Sequence, residues 1–204
     1  MAASAEVTPN RRGSKSREVV LDAAERVMAK HGYADASMAR IVKEAGIPAS
    51  SIYHYFGSKD GVLLAVMERG AERFFAAIPE LDEAIGSPEE HLRASMTAVT
   101  AALEANPDFL RLLVTMAAQP FEDAAAQEVV SRVRETALRR LRAQFALAFG
   151  VRASAKGLDR LSRVTLALID GAFIATQADE KVKLAQLLEP LPPMMVALYE
   201  GQGG

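Results

Sequence analysis

The chain has 204 residues, half of them hydrophobic, and is therefore long enough for one substantial core or for a small module joined to a larger one. It contains no cysteine, which excludes disulfides and thiolate chemistry, and its three histidines lack the spacing of metal ligands. Without an apolar run of about 20 residues or a signal-peptide stretch, the protein is expected to be soluble and cytoplasmic, with no metal and no cofactor.

The charge is distributed unevenly along the chain. Although the net charge is -2, residues 1–60 carry nine basic side chains against seven acidic ones, and the remainder is acidic. Near the N-terminus, Arg11, Arg12, Lys15 and Arg17 form a basic cluster. Such a cluster is usually a solvated tail unless a nucleic-acid motif lies beside it. We therefore expect residues 1–15 to form a flexible basic N-terminal arm.

Hydrophobic periodicity predicts four helices before Pro79, at about 16–31, 37–45, 48–56 and 58–78. The first three end at glycines, which are natural helix stops: Gly32, Gly46 and Gly57. Ser37 and Ser58 can cap the second and fourth helices, and Pro48 suits the beginning of the third. These elements are short and closely spaced, as in a compact three-helix module.

The rest of the chain is also predicted to be helical, at about 88–105, 107–119, 123–149 and 158–178, with a short final helix ending near Tyr199. No segment alternates at period two, so a sheet is not expected. The arginines of the 123–149 helix are expected to form a solvated face without function: Arg132, Arg134, Arg139, Arg140 and Arg142. The predicted fold class is all-α.

The stretch "IVKEAGIPASSIYHYFGSKD", residues 41–60, predicts a helix-turn-helix, whose second helix can enter the major groove of DNA. Five apolar residues would hold the pair against the first helix: Ile41, Ala45, Ile47, Ile52 and Phe56. Small, hydroxyl and aromatic residues would remain outside: Ala49, Ser50, Ser51, Tyr53 and His54. Hydroxyl and imidazole groups can bond phosphates or base edges, and Lys59 lies where a helix N-terminus attracts phosphate.

Residues 19–67 resemble the DNA-binding domain of the TetR family of transcriptional repressors, most specifically in "AGIPASSIYHYFGSKD" with Gly32-Tyr33 upstream. The resemblance implies an N-terminal three-helix helix-turn-helix DNA-binding domain over 16–60 and a C-terminal helical ligand-binding and dimerisation domain over 61–204. It implies phosphate contacts by Tyr53, His54 and Lys59, with Ala49, Ser50 and Ser51 facing the bases.

Three positions depart from the family's pattern. Pro48 stands where the family often has a capping serine, and Ala49 where a lysine is frequent. Arg40 replaces a commonly acidic or small residue and could restore a contact to the DNA backbone. Two alternatives stay open, since Tyr53 could pack in the core and His54 could simply be solvated.

The resemblance also implies that the C-terminal helices dimerise and enclose a ligand cavity. A stripe with small residues on the 158–178 helix, together with the last helix, could form the dimer interface or be buried within one subunit: Leu161, Val164, Thr165, Leu168, Gly171, Ala172, Ala175, Met194, Met195, Leu198 and Tyr199. Cavity candidates, most of which are expected to be ordinary core, favour an apolar or amphipathic ligand: Met96, Leu103, Phe109, Leu113, Met116, Phe121, Phe145, Asp170, Phe173 and Gln177.

The sequence thus predicts a homodimeric repressor that leaves a near-palindromic double-stranded operator when an unidentified small molecule binds. An activator with the same DNA-binding module is equally consistent. The alternative is a helical enzyme or small-molecule carrier without a DNA role. Catalysis is not expected, because the chain lacks a glycine-rich phosphate loop, a metal-spaced cluster and a nucleophile elbow.

Overall fold

The computed structural model describes residues 11–118, 124–150 and 154–201, which form ten helices and no strand. The predicted all-α fold is confirmed. The helices are α1 (Arg11–Asp35), α2 (Met38–Ala45), α3 (Ala49–Phe56), α4 (Lys59–Ala76), α5 (Pro88–Ala105), α6 (Pro107–Ala118), α7 (Ala124–Phe149), α8 (Ala155–Ala178), α9 (Leu184–Leu188) and α10 (Leu191–Glu200). None of the helices in these ranges is sufficiently long and apolar to cross a membrane.

Helix α1 differs from its predicted span at both ends. It begins at Arg11, so residues 11–15 of the expected flexible arm are helical, while residues 1–10 lie outside the described ranges. At Gly32 the backbone turns to φ +76° and ψ 159°, and regular helix stops there as predicted before a last short piece to Asp35. A glycine suits this place because positive φ is costly for residues with a Cβ.

The described residues divide into two compact units, and α4 runs from one into the other. The first unit comprises residues up to Gly70 together with 108–127, and the second comprises 71–107 and 128–204. Fully buried side chains from α1, α2, α3, α4 and α6 fill the first unit: Leu21, Met28, Ile41, Ile52, Leu63, Met67, Phe109 and Leu112. The domain boundaries expected from the sequence stay a prediction.

The second unit has an apolar core between α5, α7, α8 and α10. Its buried members are Leu92, Phe145, Leu158, Leu161 and Met195. The ring of Phe149 stacks on that of Tyr199, with centroids 3.9 Å apart. At the start of α5, Ser87 and Glu90 form a capping box, and the hydrogen bond from the Ser87 backbone lowers the pKa of the Glu90 carboxyl. These contacts fix the ends of α5, α7 and α10.

Two α7 arginines correct the prediction of a purely solvated face. Arg140 donates to the Phe75 carbonyl oxygen at 2.8 Å and pairs with Glu80 at 2.7 Å. Arg134 pairs with Asp170 of α8 at 2.8 Å. The last carbonyls of a helix lack intrahelical donors, so the end of α4 offers acceptors that Arg140 satisfies. Hydrophobic periodicity places Arg140 on the polar face of α7. It cannot show that the end of α4 packs beside that face.

Candidate nucleic-acid interface

The turn between α2 and α3 has the geometry of a helix-turn-helix. Ser37 caps α2 through its Oγ, which accepts from the Arg40 backbone N–H at 3.3 Å. Gly46 ends α2 in the left-handed conformation, at φ +64° and ψ 19°, and its N–H donates to the Val42 carbonyl at 3.0 Å. Only two further residues precede α3. The predicted cap, stop and turn are therefore all present.

Helix α3 begins without a side-chain cap, because Pro48 stands at its N-cap. The Pro48 carbonyl instead accepts from the backbone N–H groups of Ser51 and Ile52, at 3.0 and 3.3 Å. Proline at this point fixes φ near the helical value and lowers the entropy lost when the helix forms. Pro48, where the family often has a serine, thus allows the helix to form but provides no hydroxyl at its start.

Helix α3 has a buried side and an exposed side. Ile52 is fully buried, as is Ile41 of α2, whereas Ala45, Ile47 and Phe56 are half-buried. Ala49, Ser50, Tyr53 and His54 are exposed, and Ser51 is half-buried. The Tyr53 residue is 49% exposed, so it does not pack in the core. The polar and small residues that the sequence singled out therefore lie on the surface of the helix.

Two aromatic neighbourhoods on this surface were missed by the sequence reasoning. The Tyr55 ring is exposed and meets the His54 ring edge-on, with centroids 5.6 Å apart. The guanidinium of Arg17, from α1, lies 5.5 Å from the centroid of the Phe56 ring. A cation is attracted to an aromatic face at such a distance, so Arg17 brings positive charge beside the end of α3. The N-terminal basic cluster indicated positive charge in this region. It could not show which of its side chains would lie beside α3.

The turn from α3 into α4 is tight. Gly57 ends α3 at φ +72°, and its N–H donates to the Tyr53 carbonyl at 2.9 Å. The Ser58 Oγ accepts from the Gly61 N–H at 3.1 Å, as expected for a cap of α4. A Cβ placed on Gly61 would lie 2.0 Å from the Phe56 carbonyl oxygen. Gly61 is thus the residue that lets α4 start directly against the end of α3.

We expect Gly61→Ala to destabilise the protein by about 1–3 kcal/mol, because the clash is with backbone that must move. Urea unfolding measures this change. Gly157→Ala is the matched control: it is also a helical glycine, and its nearest neighbour, 3.0 Å away, is the side-chain oxygen of Ser154, which needs to move by only a few tenths of an ångström. The control should stay within about 1 kcal/mol of the parent. Equal stability of the two variants would contradict the tight α3–α4 turn.

Lys59, at the first position of α4, is held by the end of α1. Its Nζ donates to the Ala34 carbonyl at 3.1 Å and lies 4.2 Å from the centroid of the Tyr33 ring. The Tyr33 hydroxyl donates to the Asp60 carboxylate. Burial lowers the pKa of Lys59, and the charge of Asp35 opposes that shift. An ammonium has three donors, so a phosphate can be bound while the Ala34 bond is kept.

Arg40 lies exposed on α2, one turn before the exposed Lys43. Its backbone is fixed by the Ser37 cap, so its long side chain extends from a rigid helix. The candidate interface consists of the α3 residues predicted from the sequence together with Arg40 and Lys59: Arg40, Ala49, Ser50, Ser51, Tyr53, His54 and Lys59. It carries two cations and no carboxylate, which suits a polyanion.

The predicted ligand residues are divided between the two units. Phe109, Leu113 and Met116 are buried in the first unit, and Phe121 lies outside the described ranges. The other six belong to the second unit: Met96, Leu103, Phe145, Asp170, Phe173 and Gln177. Leu103 and Phe173 are buried there, whereas Gln177 is exposed.

Met96 and Phe145 line a recess in the second unit, together with Leu92, Ser95, Leu141, Gln144, Pro192 and Met195. Gln144 was not predicted. Its signal was an uncharged polar residue directly before Phe145 and three positions after Leu141, near the apolar stripe of α7. Within the described ranges, no group of three or more histidine, aspartate or glutamate side chains could hold a metal ion.

The stripe predicted on α8 is divided between two sides of the helix. Leu161, Thr165 and Ala172 are buried within the second unit, with the Thr165 hydroxyl 3.0 Å from the Met195 sulfur. An exposed apolar face lies on the other side and continues onto α10: Val164, Leu168, Gly171 and Ile174 of α8, with Met194 and Leu198 of α10. Burial within one subunit thus holds for part of the stripe, since a helical stripe of this width covers two neighbouring directions, and the dimer interface stays a prediction.

Comparisons with known proteins agree with this geometry. Residues 20–66 match the family model described as "Bacterial regulatory proteins, tetR family". The HTH-type transcriptional regulator BetI of Brucella anthropi is 28% identical over 161 residues, covering 78% of this chain and 79% of BetI.

Two solved structures share the fold. Salmonella enterica GusR superposes with a TM-score of 0.73 at 21% identity, covering 96% of this chain and 100% of GusR. SmeT, the repressor of the Stenotrophomonas maltophilia multidrug efflux pump SmeDEF, gives a TM-score of 0.68 at 22% identity, covering 89% of this chain and 88% of SmeT. These likenesses confirm a helix-turn-helix domain followed by a helical C-terminal domain.

Proposed function

Because this chain belongs to the TetR family of DNA-binding transcriptional regulators, which are not enzymes, we propose that it is a cytoplasmic homodimeric repressor of a near-palindromic operator. A small apolar or amphipathic ligand releases it from the DNA. The observation that carries this proposal is the exposed side of α3, with Ser50, Tyr53 and His54 outside and Ile52 fully buried behind them. The alternative of an enzyme or carrier without a DNA role is set aside.

Helix α3 enters the major groove with its N-terminal end, where Ala49 and Ser50 are small enough for close approach. Ser50 and Ser51 bond base edges, and Tyr53 and His54 bond phosphate oxygens at the groove's border. Arg40 and Lys59 bind phosphates on either side of α3. Phosphate contacts fix the position of the helix, and base contacts select the sequence.

A gel-shift assay with DNA flanking the coding region tests the proposal. We expect a specific complex at about nanomolar protein, roughly a thousandfold tighter than with unrelated DNA of equal length. Failure to retard any flanking fragment would contradict operator binding. A reporter fused to the retarded fragment then distinguishes a repressor from an activator. Deletion of this protein should raise reporter expression if it is a repressor and lower it if it is an activator. SmeT, a fold neighbour, is itself a repressor.

The exposed apolar face of α8 and α10 supports the dimer. Apolar residues that line up along two packed helices are unusual on a free monomer surface. A second copy would cover the face with its own α8 and α10, forming a four-helix interface with two helices from each chain. Gly171 lies within the face, and a Cβ there would meet nothing within 4 Å, so a partner helix can approach closely.

We expect Gly171→Arg to yield a folded monomer, because the new side chain has room within one subunit but puts a charge into the apolar interface. Sedimentation measures the loss of dimer. Operator affinity should also fall by about a hundredfold or more, because the two helix-turn-helix domains are no longer joined in one dimer. Ala185→Arg adds the same charge at an exposed alanine of α9 and should remain dimeric. A dimeric Gly171→Arg protein would contradict this interface.

Release by a ligand requires that the ligand bind the DNA-free conformation more tightly than the DNA-bound one. Helix α4 begins at Lys59 within the candidate interface and ends at Ala76 in the second unit. A ligand in the second unit can therefore act on α3 by favouring another position of α4.

A further inference from the structure

The residues that follow the Gly32 kink of α1 support the first turn of α4. Regular helix stops at Gly32, and the Ala36 backbone N–H donates to the Gly32 carbonyl at 3.1 Å. Ala36 is only 1% exposed, so the far end of this turn is anchored in the core of the first unit. Between these two points the Ala34 carbonyl accepts from the Lys59 Nζ at 3.1 Å. The backbone that receives the lysine is therefore fixed at both ends.

Tyr33 contacts the two residues that begin α4. The Lys59 Nζ lies 4.2 Å from the centroid of the Tyr33 ring, within the distance at which an aromatic face attracts a cation. The Tyr33 hydroxyl donates to the Asp60 carboxylate. Tyr33 is half-buried, and contacts at its face and at its hydroxyl end together restrict the rotation of the ring. The ring is thus tied to α4 while it holds the ammonium.

These contacts orient Lys59 before any DNA binds. A lysine side chain has a flexible four-carbon stem, and immobilising such a stem during binding normally lowers affinity. Here the Ala34 carbonyl and the Tyr33 ring already hold the ammonium at the end of the stem. The ammonium has three donors, and the Ala34 carbonyl takes one of them, so a phosphate oxygen can accept from another. Less entropy is then lost when the phosphate contact forms.

We propose that Tyr33 is a positioning residue of the candidate interface and holds the Lys59 ammonium where it binds an operator phosphate. The ring supplies the attraction, and the bond from its hydroxyl to Asp60 keeps the ring in place. This inference rests on the proposed function, because it concerns the phosphate contact of Lys59. Tyr33 acts through Lys59 and requires no contact of its own with the DNA.

A double-mutant cycle on operator affinity tests whether Tyr33 acts through Lys59. Tyr33→Leu should weaken binding by about ten- to a hundredfold, because a dimer must then immobilise two free lysine side chains. Tyr33→Phe keeps the ring without its hydroxyl and should lose less. In the Lys59→Ala background, Tyr33→Leu should cost no more than about twofold. Arg40→Ala is the matched background: it also lacks one cation of the interface, and there Tyr33→Leu should keep its full effect.

Two further measurements separate positioning from a general loss of structure. Tyr33→Leu should leave the slope of log affinity against log salt concentration unchanged, because Lys59 still neutralises its phosphate. In NMR spectra of the DNA-free protein, the Tyr33 ring should shift the Lys59 ε-methylene protons upfield of those of the exposed Lys156. Tyr33→Leu should abolish this difference. The parent spectrum and the Tyr33→Phe cycle test the inference even if Tyr33→Leu does not fold.

Three results would each overturn the inference: equal losses from the Tyr33 variants with and without Lys59, unchanged operator affinity in those variants, or a parent spectrum without the upfield shift. If the parent protein binds its operator, such a result defeats the inference alone. A parent protein that binds no operator defeats the proposed function and the inference together.

Discussion

Tyr53→Ala and Lys59→Ala should each weaken operator binding by at least about a hundredfold while leaving the dimer intact. A hydrogen bond to a charged group contributes about 1.5–3 kcal/mol, and a symmetric dimer loses two of them. Tyr53 is half-exposed, so its removal takes nothing from the core. Tyr53→Phe separates the hydroxyl from the ring: if the hydroxyl bonds phosphate, most of the loss should appear in this variant.

Salt dependence distinguishes the two residues. Lys59→Ala should reduce the slope of log affinity against log salt concentration by roughly two, because one phosphate contact is lost in each half of the dimer. Tyr53→Ala should leave the slope unchanged. Lys156→Ala removes the same charge from an exposed residue of α8 and should alter neither affinity nor slope. Full operator affinity in both variants of the candidate interface would contradict its assignment.

Arg69→Met should lower the free energy of unfolding by about 3 kcal/mol. The guanidinium of Arg69, in α4, is almost fully buried and bonds three carboxylates of α1, at 3.1 Å to Glu18, 2.7 Å to Asp22 and 2.8 Å to Glu25. Burial alone would lower the pKa of Arg69, but these carboxylates raise it above its usual value, so the guanidinium stays charged near neutral pH.

Removing Arg69 leaves three carboxylates without their shared cation, and a broken buried pair typically costs about 3–5 kcal/mol. The lower value is expected because Glu18 and Asp22 are half-exposed and can regain water. Urea unfolding measures the loss. Arg93→Met breaks an exposed pair with Glu89 and should cost less than about 0.5 kcal/mol. A similarly small loss in Arg69→Met would show that the three-acid cluster does not hold α4 to α1.

The sequence predicted the helices that show a clear hydrophobic period and have capping or stop residues at their own ends. Ser37, Gly46 and Gly57 mark the ends of α2 and α3 in the structure as they did in the sequence. Helix α9 was missed, because five residues with buried Leu184 and Leu188 are too short to display a helical period. The early start of α1 was missed because Gly13 and Ser14 weaken the helical pattern there.

Contacts between distant segments could not be predicted. Nothing near Arg140 in the chain shows that carbonyl oxygens at the end of α4 will lie beside it. The spacing predicts one face for the α8 stripe, because Leu161 and Val164 are less than one turn apart, yet Leu161 is buried and Val164 is exposed. The candidate interface was predictable, since exposure of Tyr53 follows from the burial of Ile52 beside it on the same short helix.

Hydroxyl-radical footprinting of a retarded operator fragment tests the central claim, that two α3 helices read successive major grooves, most directly. We expect two protected regions of equal extent, centred about 34 Å or one helical turn apart and related by the near-palindrome. A single unsymmetric protected region, or protection that Gly171→Arg leaves unchanged, would contradict it.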